Sequence, residues 1–200
     1  MKKIVALILM ILALSAPSAF AADGLPMTLA GIKLGTDIKQ YSSFCNMHLA
    51  SPSPDVPFMS ETHLVPGFIS GIRGGSLGYA NCSNLDKVVR IKLKFYDRSQ
   101  ELFDKLLKKY KKAYGNPDSY EGDAFKNVIA WQWNFNHDGQ RVSLMLMWSR
   151  KLEIRPGVSI KMSLDSMIDS EYECYKVKMD SHPESDEKTK IRNLADFIAK

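Results

Sequence analysis

The clearest alternation of apolar and polar positions lies mid-chain, where Val89, Ile91, Leu93 and Phe95 interleave with Arg90, Lys92, Lys94 and Tyr96. A period of two predicts a strand with an apolar face and a mostly basic face. The period then changes. Leu102, Phe103, Leu106, Leu107, Tyr110, Ala113 and Tyr114 form a helical stripe, with Ser99 placed to cap it and Gly115 and Pro117 to end it. Glu101 and Asp104 precede Lys105 and Lys108 by four residues, a favourable helical spacing.

Period-two alternation returns in Ile129, Trp131, Trp133 and Phe135, and again in Val142, Leu144, Leu146 and Trp148. Asn136-His137-Asp138-Gly139 between them predicts a hairpin. After the Pro156-Gly157 turn, Val158, Ile160, Met162 and Leu164 predict a further strand. Asp165 or Ser166 then starts a short helix through Tyr175. The first half is less regular. Leu29 to Leu34 reads as a strand, and Thr36 as the cap of a helix carrying Ile38, Tyr41 and Cys45. The proline-rich stretch Ser51 to Pro57 reads as a loop. Residues 64–80 read as two weak strands around a turn at Arg73, Gly74 and Gly75.

These elements predict one α+β domain over residues 22–180: a mainly antiparallel sheet with helices packed on one face. The order strand, helix, two strands occurs in both halves, a weak hint of internal duplication. Residues 181–200 read as a linker followed by an amphipathic helix carrying Ile191, Leu194 and Ile198. Such a short helix needs a surface to cover its stripe. Met145 and Met147 lie on the sheet face opposite the tryptophans. With the tail residues they form a candidate interaction surface, either for internal docking or for a partner.

Lys2 and Lys3, the apolar run Ile4 to Leu14, Pro17 and the small-x-small motif Ala19-Phe20-Ala21 match a bacterial secretory signal peptide over residues 1–21. The run is short for a membrane span, which needs about 20 apolar residues. The expected location is therefore the periplasm or beyond. The composition is that of a globular protein, 45% hydrophobic and 24% charged. Removing the leader lowers the net charge from +5 to +3, too little to argue for nucleic acid. The cysteines Cys45, Cys82 and Cys174 all lie in the exported part, so one disulfide is expected. Cys45–Cys82 is the preferred pair because both lie in the first half, which is richer in loops, leaving Cys174 as a buried or free thiol.

Four candidate chemistries compete with plainer readings. Gly74-Gly75-Ser76-Leu77-Gly78 fits G-x-S-x-G, and a serine hydrolase on Ser76 could draw on Asp138 and His182. The motif works only at a sharp strand-to-helix turn, and the residues that follow start a helix poorly. Met47, His48, Met59 and His63 could offer ligands to copper but lack metal-site spacing, so no metal or cofactor is expected. Arg90, Lys92 and Lys94 with the lysines of residues 105–112 could form an anion-binding face, or simply a solvated one. Trp131, Trp133 and Trp148 could form a platform for sugar or peptide, but their alternation places them with core residues. The favoured class is a non-enzymatic periplasmic module binding a protein or small molecule, with hydrolysis by Ser76 as the alternative.

Intact-mass analysis of exported material should give a chain starting at Ala22. Retention of residues 1–21 would refute the leader.

Overall fold

The computed structural model describes residues 24–151 and 156–181. The expected signal peptide and the tail positions Ile191, Leu194 and Ile198 lie outside these residues.

The expected α+β architecture is present. Ten strands are described: β1 (Thr28–Leu29), β2 (Ile32–Lys33), β3 (Ser51–Ser53), β4 (Val56–His63), β5 (Ile72–Tyr79), β6 (Val88–Phe95), β7 (Ser119–Tyr120), β8 (Val128–His137), β9 (Gln140–Ser149) and β10 (Gly157–Leu164). The α-helices are α1 (Gln100–Tyr114) and α2 (Asp165–Ser181), and a 3₁₀ helix covers Ile38–Phe44. β1 and β2 pair as a small hairpin; the other eight strands form one sheet ordered β3-β4-β5-β6-β10-β9-β8-β7. All of its pairings are antiparallel. The sheet reads as two mirrored runs. Each has a short edge strand followed by a three-stranded meander, and the runs meet where β6 pairs with β10.

The most regular sequence patterns become the most regular elements. The Ser99 side chain accepts from the Leu102 N–H at the start of α1, and Gly115 ends the helix at φ +82°. Asp138 and Gly139 both adopt positive φ in the β8–β9 turn. That conformation matches the twist of a two-residue hairpin, and Asp-Gly tolerates it. The apolar face of the sheet carries Ile91, Leu93, Trp133, Leu144, Leu146, Val158 and Ile160, and α1 lays Phe103 across it. The tryptophans belong to this core. Trp133 meets Tyr110 edge to face and donates to the Gly115 carbonyl, while Trp131 and Trp148 pack at its margin.

Several local expectations need correction. Leu29 to Leu34 is not one strand: a turn with positive φ at Ala30 and Gly31 folds it into the β1–β2 hairpin. Asp37, not Thr36, caps the 3₁₀ helix, by accepting from the Lys39 N–H. The Ser51 to Pro57 stretch is not all loop. Pro52 is tolerated in β3 because β3 is an edge strand, where an N–H is dispensable. The run Arg73-Gly74-Gly75 is no turn but the body of β5. Register shifts between Ile72 and Gly74, and a Cβ on Gly75 would collide with the Lys92 carbonyl oxygen. Glycine is therefore needed here for close backbone approach. α2 continues past Tyr175 to Ser181.

The largest correction concerns the cysteines. The disulfide joins Cys82 to Cys174, with Cα atoms 5.9 Å apart, and not Cys45 to Cys82. Cys45 bridges its backbone to Leu64 and turns its thiol into the core. Burial pushes that thiol up to about 11. Cys82 lies in the β5–β6 connection, and α2 brings Cys174 to it. The next turn of the same helix face supplies a second fastening. Glu171 is fully buried and accepts from the backbone N–H groups of Asn81, Cys82 and Asn84 and from the Ser83 hydroxyl. Burial alone would raise the Glu171 pKa, but these donors outweigh it and hold the carboxyl below its ordinary value.

The disulfide spans 92 residues, so the chain-entropy model gives about 4–5 kcal/mol from constraining the unfolded chain. Reduction should therefore lower the melting temperature markedly. Thiol labelling should give no reaction in the folded chain and one per chain, at Cys45, after unfolding without reductant. A Cys45-containing disulfide in peptide mapping would overturn the pairing.

Candidate functional site

Because α1 covers the apolar face, the basic set of β6 points to the other face. Arg90 and Lys92 sit on the central strand and each is only 8% exposed. A buried cation without a partner is costly, and two carboxylates from the first half meet them. Asp55, at the β3–β4 turn, lies 3.2 Å from Arg90 and 3.3 Å from Lys92. Glu61, on β4, lies 3.2 Å from Lys92. The Ser53 hydroxyl reaches both Asp55 and Glu61, and the Arg90 guanidinium donates to the Ser163 hydroxyl on β10.

These groups border a cleft of about 230 Å³, lined among others by Asp55, Glu61, His63, Ser76, Lys92, Lys94, Ser159 and Lys161. The strand register explains why they converge. Ser76 of β5 pairs with both His63 and Lys92, Lys92 pairs with Lys161, and Lys94 pairs with Ser159. Beyond β10, on the same face, Met145 pairs with Lys161 and Met147 with Ser159, and both methionines are half-buried. α2 covers one end of this face. Its Met167 and Ile168 pack on a second small cluster of Met59, Ala80 and Val89, and its Asp165 accepts from Ser143.

Both carboxylates are held ionised. Burial opposes ionisation of Asp55, but the charges of Arg90 and Lys92 and the Ser53 hydroxyl overcome it and bring the pKa to about 2. Burial likewise opposes ionisation of Glu61. Hydrogen bonding from Ser76, the charge of Lys92 and hydrogen bonds from Lys92 and Ser53 leave it below the ordinary range. A carboxyl whose pKa falls on folding stabilises the fold above its unfolded value. That contribution fades as the pH drops through the folded value, for Asp55 about 2.

The sequence candidates distribute unevenly around this cleft. Ser76 lines it, but in the middle of β5 and not at a strand-to-helix turn. Asp138 lies in the β8–β9 turn, and His182 lies outside the described residues. The lysines of α1 and those of β6 are on opposite faces, so they form no common basic surface. Met59 is sealed in the second cluster, whereas His63 is exposed. Among the described residues no three His, Cys, Asp or Glu side chains converge as metal ligands. Asp55 and Glu61 escaped the sequence reading. The available signal was Arg90 and Lys92 on a strand flanked by two meanders: a central basic strand requires acids from its neighbours.

No family model, curated protein or solved structure matches the chain, so the chemistry of the cleft has to come from its own residues.

Lys92→Met should destabilise the fold by about 3 kcal/mol in urea unfolding, because it leaves Glu61 charged and buried. Adding Glu61→Gln removes that charge and should recover stability to within ~1 kcal/mol of the parent. A Lys92→Met chain as stable as the parent would show that the pair is not a structural requirement.

Proposed function

We propose that the chain is an exported, soluble, non-enzymatic binding module that takes its ligand in the cleft between β4, β5, β6 and β10. The carrying observation is the state of the two carboxylates. Asp55 and Glu61 are both tied to cations and both held below the ordinary carboxylate range. A general base works best with a pKa near the working pH. Groups this firmly ionised hold charge in place and do not shuttle protons. Export draws support from the leader-like residues 1–21 and from the Cys82–Cys174 disulfide, which suits an oxidising compartment. Among the described residues no helix is long and apolar enough to cross a membrane.

A serine hydrolase using Ser76 is the second reading. One observation favours it: the register places His63 directly across from Ser76, and both line the cleft. Against it, Ser76 lies in the middle of β5, and the strand offers no helix N-terminus for an oxyanion.

One pair of measurements separates the readings. The mature chain is screened by thermal shift against small anions, cations and neutral amphiphiles, and assayed against p-nitrophenyl esters beside Ser76→Ala. The binding reading expects at least one ligand class to raise the melting temperature, and ester hydrolysis no faster than in Ser76→Ala. Turnover that depends on Ser76, or a melting temperature that no class moves, would overturn it.

A further inference from the structure

Antiparallel pairing gathers four connections at one end of the main sheet: β4–β5, β6–α1, β9–β10 and β7–β8. The three most exposed aromatic side chains among the described residues stand in three of them. They are Phe68, Tyr96 and Phe125, at 53%, 60% and 83% exposure. None of the three lines the cleft. Single exposed apolar residues scattered over a surface are ordinary, but a grouping at one end is not.

The rings are held out by fastened backbone. In the β7–β8 connection the Tyr120 hydroxyl reaches the carbonyls of Asp123 and Val128, and the Asn127 N–H donates to the Asp123 carboxylate. The Arg150 guanidinium, from the next connection, donates to the Asn127 side chain. Phe125 is therefore presented to water by an ordered loop. Phe68 stacks on Phe44 with centroids 4.1 Å apart, and the Tyr96 N–H donates to the Gly71 carbonyl of the neighbouring connection. Groups already ordered lose little freedom on binding.

The charges of these connections are sorted. The carboxylates of Asp97 and Asp123 accept from the backbone N–H groups of Ser99 and Asn127, and Glu121 accepts from the Ser119 hydroxyl. Arg98, Lys126, Arg150 and Lys151 are exposed, and no ion pair holds any of them among the described residues. The acids thus face donors of the protein, while the cations are free to reach outward.

We propose that this end of the sheet docks reversibly on an anionic phospholipid surface, with Tyr96 and Phe125 entering the headgroup layer and Lys126, Arg150 and Lys151 meeting the phosphates. Aromatic rings settle at that layer, and nearby cations add attraction to anionic lipid. The spread of the anchors favours lipid over a folded partner. From β5 to β8 is four strand spacings, about 19 Å. A protein interface concentrates its anchors in one water-excluded centre, whereas a fluid headgroup layer takes up each ring separately. The proposal goes beyond the cleft and does not depend on what the cleft binds.

Cosedimentation of the mature chain with phosphatidylglycerol or phosphatidylcholine vesicles tests this. The chain should bind phosphatidylglycerol vesicles at least fivefold more tightly than phosphatidylcholine vesicles, and added salt should weaken that binding. Phe125→Ser and Lys126→Ser should each weaken it severalfold. Lys112→Ser, at the far end of α1, should not. Phe125→Trp reports entry directly. Its added fluorescence should shift to the blue on phosphatidylglycerol vesicles and be quenched by bromine-labelled acyl chains. Leu85→Trp, in the exposed β5–β6 connection at the opposite end of the sheet, should show neither effect. Near-UV circular dichroism checks that each variant is folded. Absence of binding to phosphatidylglycerol vesicles, or equal binding to both lipids, would overturn the proposal. So would equal shifts at positions 85 and 125, or a loss in Lys112→Ser as large as in Lys126→Ser. None of these outcomes bears on the cleft, whose reading stands or falls by the thermal screen.

Discussion

Arg90 and Lys92 are buried at the centre of an eight-stranded sheet, and much of the molecule is arranged to make that tolerable. Their strand must also supply Ile91 and Leu93 to the core, so its period of two forces the cations onto the opposite face. That face cannot then be a second hydrophobic layer throughout. It needs carboxylates close by, which the first half supplies through the β3–β4 turn and through β4. Serines on two strands take up remaining hydrogen bonds: Ser53 on β3 and Ser163 on β10. Well-packed apolar residues could often replace such a buried ionic cluster without loss of stability. Stability alone is therefore a weak account of its presence.

The same face explains how α2 is attached. A helix laid over polar strands has little apolar surface to bury, and α2 meets the small cluster of Met59, Ala80 and Val89 and sets Tyr172 and Tyr175 beside Phe58. Its attachment is correspondingly specific. Glu171 gathers three backbone N–H groups of the β5–β6 connection, and Cys174, one helical turn on, is covalently bound to Cys82 in the same connection. The Arg141–Asp169 ion pair adds a contact to β9. The helix is thus pinned at one end of the sheet, and the cleft beside it stays uncovered by it.

How much of this could be read in the chain depended on whether the cause was local. The β6 strand, α1 and the β8–β9 hairpin announce themselves because one period and a few capping residues decide them. The glycine-rich β5 hid because its residues are chosen for close approach to β6, a tertiary demand that looks like turn chemistry in isolation. The disulfide was misassigned for a similar reason. Cys45 is nearer to Cys82 in the chain, but Cys45 is committed to the core and a helix delivers Cys174. Glu171 and Cys174, three residues apart, share a helix face, so both fastenings reach the β5–β6 connection. For the cleft, Lys92, Lys94 and Ser76 were visible as residues, but the facing acids were not. Asp55 sits in what reads as a proline-rich loop, and nothing local distinguishes Glu61 from a surface acid.

The position of the cleft follows from the two mirrored runs of the sheet. Within each run, neighbouring strands are joined by turns and their facing residues lie near one another in the chain. At the β6–β10 seam they do not: Lys92 and Lys161 belong to different runs and meet only when the halves join. A surface composed at that seam can combine chemistry that neither run holds alone. The first run brings Asp55, Glu61, Ser76 and the β6 lysines, and the second brings Lys161 and Ser159. The cleft therefore needs β6 and β10 paired. The long disulfide works in the same sense, because it ties α2, at the end of the second run, back to the β5–β6 connection of the first.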